Sequence, residues 1–314
     1  MKITKNDKIL ITGGKGFLGS FVVEKFNEEG FKNIIVFSKS EYDLLKENEV
    51  SRLFKDFGNI DVVIHIAADI GGIGYSSEHP AQQFYNNVLM NTFIMHHAYL
   101  NKVKKFVGIG SVCEYPAETP IPFTEDYIWN GYPVISNDGY GLSKRFMLAQ
   151  TITYKREYGF NSIHLVPINL YGPRDDFNLD SSHVIPAIIR KIFEAKDLGK
   201  KEIEIWGSGE VSREFLYVED AAKGIFLATK FYNEVDPVNL GTGFEIKIKD
   251  LAILIKDLME YKGILKFNKN KPEGQKRRQL DVSKAKERFD FSSEFSLSEG
   301  LNRTIDWYLK NKEN

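Results

Sequence analysis

Short apolar runs and amphipathic stretches take turns along the first half of the chain. Residues 8–12, 33–37, 62–67, 106–110 and 162–168 are apolar runs of strand length, rich in Ile, Val and Phe. Such runs suit strands that are covered on both faces. Between them, Phe21, Val22, Lys25 and Phe26 recur at intervals of three and four within residues 17–29, and helical patterns also occupy 47–57 and 82–101. Alternation of strand and helix at this spacing predicts an α/β architecture, a parallel sheet with helices wound over both faces.

Past Pro173 the rhythm loosens. A polar loop at 174–182 precedes an apolar helical stretch at 184–195, a strand-like 202–206 and the turn Gly207-Ser208-Gly209. Residues 1–173 are expected to form the first domain, and 174–314 mainly a smaller C-terminal α/β lobe. Segments near 211–245, including the apolar stretch 216–230, are expected to return to the first domain.

Thr12-Gly13-Gly14-Lys15-Gly16-Phe17-Leu18-Gly19 joins the first strand to the first helix with the spacing G-x-x-G-x-x-G. Glycines allow a tight turn and close approach of a pyrophosphate, while the helix N-terminus offers unpaired N–H groups and a positive dipole. A glycine triplet also serves as a bare turn. Its place in the first strand–turn–helix unit argues instead for a dinucleotide loop, and hence for a Rossmann-type doubly wound sheet. Gly13, Gly16, Phe17, Leu18 and Gly19 are then cofactor candidates, with Ser38, Lys39, Asp43 and Leu44 after the second strand and Ala67 and Ala68 after the third. A carboxylate closing the second strand would favour NAD, and cations there would favour NADP. That strand ends in Ser38-Lys39-Ser40 without a carboxylate, and Lys15 is near at hand, which leans towards NADP. An exposed turn lysine is often merely solvated, so both cofactors stay open.

Tyr140-Gly-Leu-Ser-Lys144 places a phenol and an ammonium one helical turn apart. The ammonium favours phenolate and lets the tyrosine relay a proton. The same spacing at Tyr42/Lys46 and Tyr308/Lys312 reads as surface helix. What separates Tyr140 is its setting: Gly110-Ser111-Val-Cys113-Glu-Tyr-Pro116 closes one strand, and Pro167-Ile-Asn169-Leu-Tyr171-Gly172-Pro173-Arg174 follows another. The carboxyl ends of parallel strands are where ligands collect.

With these segments, the chain resembles the extended short-chain dehydrogenase/reductases, in their sugar-nucleotide epimerase/dehydratase branch, and within it the GDP-L-fucose synthase group. Ala67-Ala-Asp-Ile-Gly71-Gly72-Ile73, Ser182-His183-Val-Ile-Pro186, Trp206-Gly-Ser-Gly209, Arg213-Glu-Phe215, Asn239-Leu-Gly-Thr-Gly243 and Lys271-Pro-Glu-Gly274 carry the likeness onward to about Asp281. The resemblance implies that Ser111, Tyr140 and Lys144 handle proton transfer coupled to hydride transfer at a sugar C4. It implies that Cys113 and His183 move protons at the ring carbons beside the ketone, and that Asn169, Val184, Trp206, Arg213 and Lys271 meet a GDP-sugar. It also implies a homodimer or a dimer-based oligomer, paired through helices near 82–101 and 144–158. Two departures stand out. Lys15, Ser38 and Lys39 occur where the group commonly has arginines, and Glu114 replaces an apolar residue beside Cys113.

Composition narrows the picture. The formal net charge of −1 supplies no basic surplus for nucleic acid, and no run approaches the roughly 20 apolar residues of a membrane span. The single cysteine excludes an internal disulfide framework and points to a reducing, cytoplasmic setting. Among the six histidines none has a trusted metal-ligand spacing, so no metal is expected. The readings are an NAD(P)-dependent oxidoreductase/epimerase of a GDP-linked sugar at C4, with or without epimerisation at C3 and C5; an NAD-dependent C4 dehydrogenase of a GDP-manno-sugar such as a heptose; and a catalytically silent dinucleotide sensor. The presence of Ser111, Tyr140 and Lys144 together weighs against the last.

Overall fold

The computed structural model describes residues 2–271 and 273–312. Its first half runs β1 (Ile9–Thr12), α1 (Phe17–Glu28), β2 (Ile34–Ile35), α2 (Glu47–Phe57), β3 (Val62–His65), α3 (Ile73–Glu78), α4 (Pro80–Leu100), β4 (Lys105–Ile109), α5 (Asp138–Tyr158) and β5 (Ser162–Pro167). There follow β6 (Asn169–Tyr171), α6 (Val184–Asp197), β7 (Glu202–Trp206), β8 (Ser212–Tyr217), α7 (Val218–Phe231), β9 (Val238–Leu240), β10 (Glu245–Lys247), α8 (Ile248–Leu258), β11 (Ile264–Asn268), α9 (Ser283–Phe289) and α10 (Leu297–Asn311).

The main sheet is parallel, in the order β2-β1-β3-β4-β5-β9. Its strands are mostly apolar because both faces are covered, with His65, Lys105, His164 and Asn239 among the buried polar exceptions. Ile9, Ile11, Val62 and Ile64 point into one buried cluster with Val22 and Phe26 of α1 and Ile225 and Phe226 of α7. Leu10 and Val63, one residue out of phase, point into another with Leu53 of α2, Met95 of α4 and Met147 of α5. The doubly wound Rossmann-type sheet is therefore present. The strand order reverses beside β1, which leaves a crevice at the carboxyl ends of β1 and β3.

A third cluster gathers Ile185, Ile188, Ile189 and Ile192 of α6 with Ile203 and Ile205 of β7, Leu251 and Ile255 of α8 and Leu301 and Ile305 of α10. Two small sheets accompany it, β10-β8-β6 and β11-β7. The stretch 216–230 divides: Leu216 and Tyr217 end β8, whereas α7 packs on α1. β2 is shorter than the expected 33–37, as suits an edge strand paired on one side only. Among the described residues no helix is long and apolar enough to cross a membrane.

Candidate active site

The glycine loop is built for close approach. Gly13 has φ +69°, and a Cβ on it would lie 2.9 Å from the Ala67 nitrogen. A Cβ on Gly19 would come within 2.0 Å of the Gly13 carbonyl oxygen. Gly16 stands at the N-cap of α1 with no side chain capping the helix and no acidic residue in its first turn, so the terminal N–H groups keep their positive end open. Phe17 begins the helix half-buried, and Leu18 is buried in the core. Thr12 Oγ1 accepts the N–H groups of Ile66 and Ala67 at 3.1 and 3.2 Å, tying the loop's base to the end of β3, where Ala67 and Ala68 are half-buried. These features fit a dinucleotide.

Beyond β2 the structure corrects the sequence reading, which saw no carboxylate there. Glu41 folds back across the turn and accepts from Ser38 N–H and Ser38 Oγ, both at 2.6 Å, and pairs with Lys15 at 3.0 Å. The Ser38 hydroxyl, the Ser38 N–H and the Lys15 ammonium hold the Glu41 carboxyl down at about 2. Lys39 is exposed, Asp43 accepts the Leu45 N–H at 3.1 Å, and Leu44 is buried.

Ser111, Tyr140 and Lys144 come together at the end of β4. Lys144 is buried and donates to the Ile109 carbonyl at 2.8 Å; its ammonium lies 5.7 Å from the Tyr140 ring centroid. Tyr140 is also buried, and the Ser111 side chain lies near enough to favour its phenolate. Burial raises the phenol, helped by the charges of Cys113 and Glu114, while the Ser111 side chain opposes the rise. Burial likewise pushes the Lys144 ammonium down to about 8 against the opposing charge of Glu114. A glycine at 141 lets α5 pass close: a Cβ there would lie 2.2 Å from the Cys113 carbonyl.

Cys113 is half-buried, and its Sγ accepts from Asn137 Nδ2 at 3.0 Å and from Arg278 Nη1 at 3.7 Å. Arg213 lies within electrostatic reach of both Cys113 and Arg278, and its burial lowers the guanidinium to about 9. It donates to the carbonyls of Glu273 at 2.7 Å and Ser212 at 2.6 Å. His183 is the N-cap residue of α6 but makes no capping bond. The residue is exposed, yet neighbouring protein lowers its pKa by desolvation, against the pull of Asp176. The loop before it touches the Gly71–Gly72 turn, where Gly72 N–H donates to the Ser181 carbonyl at 2.7 Å.

Trp206, partly exposed at the end of β7, carries Lys271 at 4.8 Å and Lys191 at 5.5 Å from its ring centroid, and Gly74 lies against its edge. A Cβ on Gly274 would meet Arg213 and Ile73, so this group and the Gly71–Gly72 turn border one region. Val184 opens α6 and packs on its core, and Asn169 Nδ2 is turned to the Glu214 carbonyl at 2.8 Å. Sequence reasoning missed Glu41, Asn137, Lys191 and Arg278. Only Lys191, on the helix after His183, carried a positional signal. Among the described residues no cluster of three or more metal-binding side chains occurs.

Residues 9–241 match the NAD dependent epimerase/dehydratase family. The chain belongs to that family. It is 35% identical to GDP-L-fucose synthase 1 of Arabidopsis thaliana over 98% of its own length and 94% of the relative's. In structure it is similar to a GDP-6-OMe-4-keto-L-xylo-heptose reductase from C. jejuni, with a TM-score of 0.93 and 27% identity, each chain fully covered. A GDP-mannoheptose C4 reductase from Campylobacter jejuni with NADP bound gives a TM-score of 0.88 and 29% identity over 98% of this chain and 99% of that one. A nicotinamide dinucleotide is the cofactor of this scaffold, and the chain is an enzyme of the nucleotide-sugar epimerase/reductase kind.

Proposed function

We propose that this family member is an NAD(P)-dependent oxidoreductase of a GDP-linked sugar at C4, with epimerisation at the neighbouring carbons. The observation that carries it is the joining of two groups: Ser111, Tyr140 and Lys144 at the end of β4, and Cys113 two residues on, held by Asn137 and Arg278. The bound dinucleotide supplies or accepts the hydride at C4. Tyr140 gives its proton to the C4 oxygen as a ketone is reduced, Ser111 orients that oxygen, and the Lys144 ammonium stabilises the phenolate left behind. Cys113 and the neutral His183, arriving from separate segments, take and return protons on opposite faces of the ring beside the ketone. Arg278 places a positive charge where a thiolate would form.

Arg213, Lys191 and Lys271 supply cations for the diphosphate, and Trp206 a flat apolar wall. On this reading residues 174–314 mainly serve the substrate. The segment 211–245 is shared, since α7 and β9 lie on the main sheet. NADP(H) is the preferred cofactor, on the likeness to the heptose reductase with NADP bound and on Ser38 and Lys15, donors beyond β2 that a 2′-phosphate would take over from Glu41. The exposed Phe84, Tyr85 and Phe146 on the packed pair α4 and α5 offer the apolar surface of a homodimer, and a cytoplasmic setting belongs to the same reading. A second reading, C4 chemistry on a GDP-manno-heptose without epimerisation, draws on the likeness to the heptose reductases.

Stopped-flow assay with NADPH and GDP-4-keto-6-deoxymannose tests the proposal, with Tyr140→Phe as control. The variant should lose about 10²–10⁴-fold in turnover as general acid–base losses do, yet bind NADPH as before by fluorescence titration. Near-normal turnover in the variant would remove Tyr140 from the chemistry. Turnover of GDP-heptoses alone, without solvent deuterium entering the ring, would favour the second reading.

A further inference from the structure

Glu114 and His164 lie next to the Ser111–Tyr140–Lys144 group and take no part in the chemistry above. Both side chains have no accessible surface, and His164 Nε2 is 3.0 and 3.1 Å from the two carboxylate oxygens. Glu114 Oε1 also accepts the Ser111 N–H at 2.7 Å, closing a capping box around the residue whose side chain lies near Tyr140. The fit is close: a Cβ on Gly110 would lie 2.2 Å from Glu114 Oε1 and 2.3 Å from His164 Nε2.

The protons of the pair follow from one unpartnered atom. His164 Nδ1 is buried and has no hydrogen-bond partner. If His164 were an imidazolium, or if Glu114 donated a proton to Nε2, Nδ1 would bear a hydrogen with nothing to receive it. A neutral imidazole protonated at Nε2 leaves only a bare lone pair there. Both Glu114 oxygens then accept from N–H donors, and a proton of their own would find no acceptor among the described residues. Glu114 therefore keeps its negative charge in the interior, where an uncompensated charge is costly. The titratable and charged groups that face it are Tyr140, Lys144 and Arg145 from α5, His164 from β5 and Tyr115 beside it. Arg145 is engaged through its Nε and Nη1 with the backbone carbonyls of Glu114 and Gly131.

We propose that Glu114, oriented by a neutral His164, is the buried counter-charge that keeps Lys144 an ammonium and fixes Ser111 beneath Tyr140. Glu114 is thus a positioning residue. The inference rests on the roles given above to Ser111, Tyr140 and Lys144. Lys144 Nζ donates to the Ile109 carbonyl, one residue before the Gly110 against which Glu114 Oε1 packs, so ammonium and carboxylate share the end of β4. Burial drives Lys144 towards losing its proton, and the carboxylate opposes this. Glu114→Gln keeps the shape and the acceptor for the Ser111 N–H but removes the charge. Lys144 and Tyr140 should then both lose their protons at lower pH, moving the alkaline limb of the turnover profile down by about one unit. His164→Gln, which removes no charge, should leave that limb in place.

An unmoved limb in Glu114→Gln overturns the proposal even if turnover falls, because a purely structural role would scale the profile without shifting it. An upward move in His164→Gln overturns it too, by showing that the ring carried a proton. Should either variant fail to fold, ¹⁵N NMR of the histidines in the unaltered, ligand-free protein decides. His164 should read as neutral and protonated at Nε2 under the conditions of the turnover assay, and an imidazolium or the Nδ1–H tautomer overturns the proposal. Failure of the underlying reading is separate, since it appears as turnover that survives Tyr140→Phe.

Discussion

Cys113 shows what one residue gains from distant neighbours. Its own segment supplies Ser111, whereas Arg278 reaches its sulfur from 165 residues further along the chain. Nothing local marks that arginine: Arg277 beside it is an exposed partner of Glu245, and only packing turns Arg278 inward. Cys113→Ser should abolish entry of solvent deuterium at the ring carbons while hydride transfer remains measurable, as mass spectrometry of the product would show. Full exchange in that variant would take the thiol out of the chemistry. Glu41 makes a second case. Its carboxylate occupies the donors that a 2′-phosphate would use and would repel that phosphate. Glu41→Gln should raise affinity for NADPH relative to NADH by about tenfold, the effect of removing one nearby like charge, measured by fluorescence titration of both. An unchanged ratio would mean that the carboxylate swings clear without cost.

At the scale of elements, the strand–loop–helix unit was legible because its demands are local. A residue larger than glycine at 19 meets the Gly13 carbonyl at 2.0 Å, so the spacing of the loop is a steric requirement written in the sequence. Gly19→Ala should displace the loop by a fraction of an ångström or more. It should lower turnover by about 10²-fold, the scale of a 1 Å misplacement, together with weaker dinucleotide binding by calorimetry. Normal affinity would show that the helix can shift without harm. Helix α2 begins and ends where its pattern predicts, with acidic residues in its first turn and Lys55 in its last. The strands β6, β9 and β10 escaped notice because runs of three residues carry too few periods to be told from loop. His65 closes the core strand β3. It lies in a buried chain from Thr12 Oγ1 (2.7 Å) to Asn91 Oδ1 (3.0 Å), linking the base of the glycine loop to α4. Burial lowers its pKa to about 3, so it stays neutral at working pH.

Over the whole molecule, the late segment α7 is as much a part of the sheet's cover as α1. Phe226 stacks edge-on against Phe26 at 5.1 Å and Phe31 at 6.1 Å, all three buried. Phe226→Ala should cost about 3–5 kcal/mol, the range for emptying a buried aromatic site, read as a lower urea midpoint. A loss below about 1 kcal/mol would mean that the site collapses to fill the cavity. By itself the sequence determined the features that depend on neighbours a few residues apart: the strand and helix alternation, the glycine turn, and a tyrosine and lysine sharing one face of a helix. Tertiary structure alone decided which charges converge. Glu41 closes on Ser38 and Lys15, Arg278 arrives at Cys113, and His164 meets Glu114 across two strands' ends. The reason is physical. Periodicity and steric limits act along the chain, whereas the pairing of charges depends on distances that only packing sets.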